Sequence, residues 1–97
     1  MRVIAKKPLR EFWERFPDAE GALETWFAEA ERARWSNPGE IKAQYRSASI
    51  IKDSRVVFNI CGNKYRLVVK ISYQNGVILI RFIGTHKEYD AINAEEV

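Results

Sequence analysis

Apolar residues recur with a helical period through the first third of the chain. A first stripe at positions i, i+3, i+4 and i+7 predicts a helix from Lys7 to Phe16, which Pro17 ends. Asp18 is the predicted N-cap of a second helix that runs to Arg34. The first stripe is Leu9, Phe12, Trp13 and Phe16, and the second is Ala22, Leu23, Trp26, Phe27 and Ala30. We expect the two helices to form a hairpin whose aromatic side chains pack in the core rather than stack on nucleic-acid bases.

The segments on either side of this hairpin carry weaker signals. Residues 2–5 can make a short edge strand. Asn37 followed by Pro38 fits an N-cap and a first-turn proline, which predicts a short helix through Tyr45. The stretch from Arg46 to Lys52 shows no regular period and is predicted to be a loop.

The hydrophobic period changes to two from residue 55 onward, which predicts a β-sheet. Three strands are expected, from Arg55 to Ile60, Lys64 to Tyr73 and Val77 to Gly84. The dipeptides Gly62-Asn63 and Asn75-Gly76 are strong signals for two-residue hairpin turns. Helices followed by consecutive hairpins predict an α+β fold, with the helical hairpin packed on one face of a small antiparallel sheet.

The two turns fix the register, and both place apolar side chains on the same face of the shared strand. The predicted pairs are Ile60 with Tyr65, Phe58 with Leu67, Val56 with Val69, Tyr73 with Ile78, Ile71 with Ile80 and Val69 with Phe82. The face formed by these pairs must meet the helices. Strict alternation from Phe82 turns His86 toward the same side, so a kink at Gly84 is expected to redirect it.

The opposite face of the predicted sheet carries a row of cations. Its predicted neighbours are Arg55 with Lys70, Lys70 with Arg81 and Asn59 with Arg66, separated by Val57, Val68, Leu79 and Ile83. Like charges placed opposite one another destabilise a sheet by up to about 1 kcal/mol. One glutamate would reduce the repulsion between these cations, yet residues 54–87 contain no Asp or Glu. The pattern favours an anion-binding surface. The alternative is that the long aliphatic stems of the Lys and Arg side chains spread apart over their apolar neighbours, which separates the charges.

Composition narrows the classes of function. The chain has 97 residues, 46% of them hydrophobic, and a net charge of +3, which suits one domain spanning residues 1–97. No apolar stretch approaches the roughly 18 residues of a membrane span, and a secretion signal is missing, so a cytoplasmic location is expected. One cysteine, Cys61, and one histidine, His86, are too few for a structural zinc site. Phosphate-binding glycine loops, serine-nucleophile motifs and dinucleotide fingerprints are absent, so no cofactor is expected.

The segment after the last predicted strand carries candidates for acid–base chemistry. His86 is followed three residues later by Tyr89, on the same side if the segment is helical. A lone histidine near a strand end is more often structural, but this one lies beside a row of cations. Together these groups cover what RNA self-cleavage requires, namely a proton acceptor, a proton donor and charge for the phosphate. No carboxylate pair is available here for two metal ions, which favours attack by the 2′-hydroxyl of RNA.

Two long blocks of this sequence resemble the HigB family of type II toxin-antitoxin toxins. They run from Val56 to Val68 and from Ile80 to Asp90, and the stretch from Pro38 to Tyr45 is more weakly similar. The resemblance implies a RelE-like fold and ribosome-dependent cleavage of translated mRNA, which inhibits translation. It also implies neutralisation by a HigA-type antitoxin that carries a helix-turn-helix domain.

The resemblance also implies roles for individual residues. Arg66 corresponds to the strand arginine that RelE-like toxins use at the scissile phosphate, and His86 to a basic residue just after their last strand. Tyr89 corresponds more loosely to the aromatic residue of their C-terminal segment. RelE toxins carry a lysine pair on the preceding strand, where this chain has Val57 and Asn59.

This departure leaves the general base open between His86, Lys64 and Lys70, of which we favour His86. The expected catalytic residues are His86, Arg66 and Tyr89, and the expected RNA-binding residues are Lys64, Lys70, Arg81, Arg55, Asn59 and Lys87. Two other functions remain possible from the sequence. One is a non-catalytic RNA- or ribosome-binding module, and the other is a subunit whose basic face docks an acidic protein partner.

Overall fold

The computed structural model describes all residues from 1 to 97 and has a five-stranded sheet with helices. The elements are β1 (Arg2–Ile4), α1 (Lys7–Arg15), a 3-10 turn (Pro17–Ala19), α2 (Glu20–Arg32), α3 (Pro38–Gln44), β2 (Ser49–Ile51), β3 (Arg55–Ile60), β4 (Tyr65–Ser72), β5 (Val77–Thr85) and α4 (His86–Asp90). The strand order is β1-β5-β4-β3-β2, and only the β1–β5 pair is parallel. The α+β fold with a helical hairpin on one face of a mostly antiparallel sheet is confirmed.

The core lies between the helical hairpin and the inner face of the sheet, which is the face toward α1 and α2. The helix stripes contribute Leu9, Phe12, Leu23, Trp26 and Ala30, and the strands contribute Val56, Phe58, Leu67, Val69, Ile71 and Ile78. Each large apolar side chain buried in this way contributes about 1.5–3 kcal/mol relative to an exposed one. The predicted stripes are confirmed as core, and they give the sheet a firmly packed support.

Two predicted features of the helices differ in the structure. Asp18 is not an N-cap, because it lies within the 3-10 turn and turns its carboxylate toward β4 instead. The second helix ends at Arg32 rather than Arg34, since Ala33 has an extended backbone (ψ 155°). The cap of α3 is confirmed, with Asn37 Oδ1 accepting from the Glu40 amide at 3.1 Å.

The segment predicted to be a loop, Arg46 to Lys52, contains an edge strand. Residues Ser49–Ile51 form β2 and pair antiparallel with β3, where Ile50 lies opposite Val56. The prediction was wrong because a strand of three residues is too short to show an alternating pattern of its own.

The predicted register is correct for the first hairpin and wrong for the second. The β3–β4 pairs, including Ile60 with Tyr65, are as expected. In the β4–β5 hairpin Ser72 pairs with Val77, so the loop of residues 73–76 is centred on Gln74 and Asn75 and the predicted turn at Asn75-Gly76 is one residue too late. Gly76 allows this loop because it adopts a positive φ of 67°. The observed pairs are Ile71 with Ile78 and Val69 with Ile80, in place of Tyr73 with Ile78, Ile71 with Ile80 and Val69 with Phe82.

A β-bulge at Arg81 inverts the faces of the last part of β5. Val69 pairs with Ile80 and Val68 pairs with Phe82, which leaves Arg81 without a partner in the ladder. Phe82 therefore lies on the outer face, the face away from α1 and α2, and Ile83 packs against the core. Both assignments reverse the prediction. The expected kink at Gly84 is not needed, because the bulge has already exchanged the two faces of β5 from Phe82 onward.

The outer face is less open than the sequence suggested. Lys70 lies opposite Leu79 rather than Arg81. Val57 and Val68 are only 3% and 0% exposed, although they lie outside the main core cluster. The chain after α4 crosses this face, where the main-chain oxygen of Val97 accepts hydrogen bonds from two of the predicted cations, as described below. The helices of the fold are all too short or too polar to span a membrane.

Candidate active site

The start of α4 is held in place by a reciprocal hydrogen-bonded cap. The Glu88 amide donates to Thr85 Oγ1 at 3.1 Å, and Glu88 Oε1 accepts from the Thr85 amide at 2.8 Å. His86 is the first residue of this helix. Arg66 pairs with Gly84, two residues earlier, so the strand arginine and the histidine lie at the same end of the sheet.

Arg66 lies against an aromatic pair on the outer face. Its guanidinium carbon is 6.0 Å from the centre of the Tyr89 ring, and the Tyr89 and Phe82 rings are 6.4 Å apart. Nη1 donates to the Asn63 carbonyl at 3.1 Å. The Nε and Nη2 groups have no acceptor within the protein, so they are available to oxygens of a phosphate.

A cleft of about 640 Å³ opens next to the start of α4, between the end of α1, the 3-10 turn and the start of β4. It is lined by Phe16, Pro17 and Tyr65, by the cations Arg15, Lys64 and Lys87, and by His86, with the carboxylate of Asp18 among them. Apolar and aromatic surface next to cations suits a nucleotide, which has a flat base and an anionic backbone.

His86 is oriented by a carboxylate on the next turn of α4. Its Nδ1 lies 3.2 Å from Asp90 Oδ2, and its side chain is 54% exposed. When Nδ1 carries the proton for this bond, Nε2 is left as the acceptor, which is the form that a general base needs. The imidazole therefore lines the cleft with one ring nitrogen bound to Asp90 and the other without a partner in the protein.

Lys64 is paired with Asp18, which approaches from the helical layer. The Lys64 ammonium forms an ion pair with Asp18 Oδ2, and the Tyr65 hydroxyl donates to Asp18 Oδ1 at 2.5 Å. The hydrogen bond to Asp18 raises the pKa of Lys64, and the same bond lowers the pKa of Asp18. Lys64 is therefore a cation at neutral pH, which makes it unsuited to act as the base.

The remaining predicted RNA-binding residues are dispersed. Arg55 is only 7% exposed and donates through Nε and Nη2 to the Val97 main-chain oxygen at 3.0 and 2.6 Å. Arg81 Nε donates to the same oxygen at 3.1 Å. Asn59 Nδ2 donates to the Ser47 carbonyl at 3.3 Å. Lys70 is exposed, but it lies four residues along β4 from the site arginine, roughly 13 Å away.

The structure thus brings five of the predicted residues together around the start of α4. They are Arg66 and Tyr89 on the outer face, and His86, Lys64 and Lys87 in the cleft. Arg55, Arg81 and Lys70 do not join them. Asn59 lies opposite Arg66 in the β3–β4 ladder, as predicted, but its amide donates to the Ser47 carbonyl.

Comparison with known proteins identifies the family of the chain. A family model described as the HigB toxin, a RelE-like toxic component of a toxin-antitoxin system, matches residues 19–92. The chain belongs to the HigB toxin family. The family resemblance of the two sequence blocks is therefore confirmed. The matched range of the HigB family includes all five residues around α4, whereas Arg15 and Asp18 precede it.

Curated HigB proteins resemble the chain over nearly its whole length. The mRNA interferase toxin HigB of Escherichia coli (strain K12) is 30% identical over 96 residues, which cover 97% of this chain and 92% of that protein. The mRNA interferase HigB of Shigella flexneri shows the same identity and coverage. The mRNA interferase HigB of Escherichia coli O6:H1 is 24% identical over 94 residues, covering 95% of this chain and 91% of that protein.

Three residues of the candidate site were missed by the sequence reasoning. Asp90 could have been found, because it follows His86 at the i+4 spacing of one helix face. Arg15 and Asp18 could not, since they reach the cleft only through packing of the helical layer against β4. No group of three or more His, Cys, Asp or Glu side chains is arranged to hold a metal ion.

Proposed function

We propose that this HigB-family chain is an endoribonuclease that cuts mRNA by using the 2′-hydroxyl of the RNA as nucleophile, without a metal ion. The observation that carries the proposal is the convergence at α4 of an oriented imidazole, His86, with the cations Arg66, Lys64 and Lys87. The similarity to relatives named mRNA interferases supports the substrate class.

The proposed reaction needs only groups that are present around α4 and solvent water. His86 Nε2 accepts the proton of the 2′-hydroxyl, whose oxygen attacks the adjacent phosphorus. The bond to the 5′-oxygen breaks, and that oxygen takes up a proton from solvent water, which yields a 2′,3′-cyclic phosphate and a 5′-hydroxyl. The Arg66 guanidinium compensates the charge that builds on the phosphate, and Tyr89 stacks on or positions the substrate.

The RNA path in this proposal runs around α4 instead of across the whole outer face. Lys64, Lys87 and Arg15 bind phosphates on the cleft side, and Lys70 extends the path along β4. Arg55 is excluded from this path because it is buried beneath Val97. Arg81 is left out because its Nε binds the same main-chain oxygen, away from α4, and Asn59 because its amide donates to the Ser47 carbonyl. We therefore assign Arg55 and Arg81 to holding the segment after α4.

The wider context of the activity is also a proposal. We propose that residues 1–97 act as one domain in the cytoplasm, and that cleavage takes place on mRNA being translated by the ribosome. A HigA-type antitoxin with a helix-turn-helix domain would neutralise the toxin. These points rest on the resemblance to the HigB family, and co-expression with the neighbouring gene tests the antitoxin by rescue of growth.

Substitution of the histidine tests the proposed chemistry. His86→Ala is expected to lower mRNA cleavage about 100-fold or more and to abolish growth arrest, because general acid–base catalysis contributes about 10²–10⁴. The melting temperature should change little, since the side chain is exposed. Cleavage is measured by primer extension on mRNA from expressing cells, with Arg46→Ala, an exposed loop residue, as the control.

The outcome also separates the enzyme from its main alternative. A non-catalytic RNA- or ribosome-binding module would arrest growth but leave no new 5′ ends in the mRNA. If His86→Ala still cut the message at the wild-type rate, the histidine would have no part in the mechanism.

A further inference from the structure

Asp18 connects the helical layer to the end of the sheet that carries the proposed site. Its carboxylate forms the ion pair with Lys64 and accepts the hydrogen bond from Tyr65, and its carbonyl oxygen accepts from Cys61 Sγ at 3.3 Å. One residue of the 3-10 turn thus contacts three residues at the β3–β4 turn. The HigB-family match begins at residue 19, so Asp18 lies outside it.

The contacts of the two side chains bound to Asp18 differ in kind. Tyr65 is held by its own packing, with its ring 5.1 Å from that of Phe12 and 5.5 Å from that of Phe16. Lys64 is 61% exposed, and Asp18 is the only hydrogen-bond acceptor that its ammonium has in the structure; the ammonium also lies 5.7 Å from the centre of the Tyr65 ring. A cation–π contact at an exposed site is weak, so without Asp18 the lysine would sample many rotamers in solvent. The carboxylate therefore determines where the positive charge of Lys64 lies.

We infer that Asp18 is a positioning residue, which holds the Lys64 ammonium in the cleft that His86 lines so that the phosphate of the RNA meets a fixed cation. This inference rests on the proposed endoribonuclease function. A charge that is already in place needs no reorganisation as the transition state forms, which is why its position affects the rate more than the binding. Lys64 then supplies charge, and His86 remains the proton acceptor.

If Asp18 positions Lys64, Asp18→Asn should slow cleavage without weakening the binding of RNA. The amide keeps the size of the side chain and an acceptor for Tyr65 but removes the charge that orients Lys64. The maximal cleavage rate should fall about 10-fold, less than the 10²–10³ expected when a stabilising donor is removed outright. Binding of RNA should stay the same or become tighter, because the ammonium is no longer neutralised by the carboxylate.

A double-mutant cycle distinguishes positioning through Lys64 from a structural role. Asp18→Asn should lower the maximal rate in the wild-type background and have no further effect in the Lys64→Ala background. A residue needed only for stability would lower the rate by the same factor in both. Asp18→Glu, which retains the carboxylate, should restore part of the rate in the presence of Lys64.

The rates are measured as single-turnover cleavage of a 5′-labelled mRNA on programmed ribosomes with excess purified toxin. This assay yields a maximal rate and a half-saturating toxin concentration for each variant. Asp53→Asn serves as the matched control, because Asp53 is an exposed aspartate in the turn before β3, at the opposite end of the sheet. Melting temperatures are recorded for all variants. If Asp18→Asn is unfolded at the assay temperature, the cycle is run with Asp18→Glu, for which a loss of about 3-fold is expected only when Lys64 is present.

The inference is overturned if wild-type toxin cuts the mRNA and the Asp18 variants either match its rate or lose the same factor with and without Lys64. Uncut mRNA with the wild-type toxin would overturn the proposed function and the inference together, so the two failures are distinguishable.

Discussion

His86 and Arg66 show how much the function of a side chain depends on its immediate neighbours. The imidazole has a defined orientation because Asp90 lies 3.2 Å from Nδ1. The guanidinium lies over Tyr89 and still has free N–H groups on Nε and Nη2. A lysine in the place of Arg66 would keep the charge but lose both the planar contact and the paired donors. The residue types at these two positions therefore match the proposed chemistry closely.

The Asp18–Lys64 ion pair makes stability depend on pH at both ends of the scale. The pKa of Asp18 is lowered from 3.8, so its contribution is fully present above pH 3.8 and is lost as the pH falls through the lower folded-state value. The pKa of Lys64 is raised from 10.5, so the contribution is present below pH 10.5 and is lost as the pH rises through the higher folded-state value.

Thermal unfolding of wild type and Asp18→Asn between pH 2 and 7 tests this dependence. The difference between the two melting temperatures should be largest above about pH 4 and should shrink on further acidification, because the protonated carboxyl resembles the amide. Asp53→Asn, whose carboxylate has no ion-pair partner, is the control for replacing an exposed aspartate as such. A difference for Asp18→Asn that stays constant down to pH 2 would rule out the charge of Asp18 as its source.

At the scale of elements, local signals predicted the existence of α1, α2 and α3 and the first hairpin correctly, although not the N-cap of α2. The stripe of α1, the Asn37 cap of α3 and the Gly62-Asn63 turn each depend on residues close together in sequence. The bulge at Arg81 could not be predicted in this way. Phe82 and Ile83 are both apolar, so an alternating pattern is satisfied whichever of them faces the core. The choice is made by packing, with Ile83 against the core and Phe82 against Tyr89.

Gly84 provides a test of how β5 supports α4. A Cβ at this position would lie 2.5 Å from Phe82 Cζ and 3.0 Å from Glu88 Oε1, which is part of the cap of α4. Gly84→Ala should therefore lower the free energy of unfolding by about 1–3 kcal/mol. Gly21→Ala is the matched control, since a Cβ there has no atom within 4 Å and α2 should gain up to about 1 kcal/mol. Urea unfolding measures both, and equal stability of the two variants would contradict the packing described for Gly84.

At the scale of the whole molecule, the cations of the sheet fall into two groups. The sequence predicted one continuous row, but the chain after α4 covers part of the outer face and uses Arg55 and Arg81 to bind Val97. Residues 91–97 have no periodic pattern, so nothing in the sequence indicated where they lie. The cations around α4 remain free of such contacts with the tail, which is why the proposed RNA path is confined to that end.

Substitutions from the two groups should separate stability from RNA binding. Arg55→Ala should lower the free energy of unfolding by about 1–3 kcal/mol, because buried hydrogen bonds to Val97 are lost. The half-saturating toxin concentration of Arg55→Ala should change less than about 2-fold, because Arg55 lies away from the proposed RNA path and distant sites have nearly independent effects. Lys87→Ala should show the opposite pattern, with weaker binding and a shallower salt dependence but unchanged stability. If Arg55→Ala were stable but bound RNA poorly, Arg55 would belong to the RNA-binding surface, which would contradict the assignment.

The chemical nature of the RNA ends tests the central claim most directly. Purified wild-type toxin is incubated with mRNA on programmed ribosomes, and the termini at each new break are identified. Attack by the 2′-hydroxyl predicts a 5′-hydroxyl, which polynucleotide kinase labels without prior phosphatase treatment, and a 2′,3′-cyclic phosphate on the other fragment. Both ends should disappear with His86→Ala. New breaks that carry a 5′-phosphate and a free 3′-hydroxyl, or an intact message, would contradict the account.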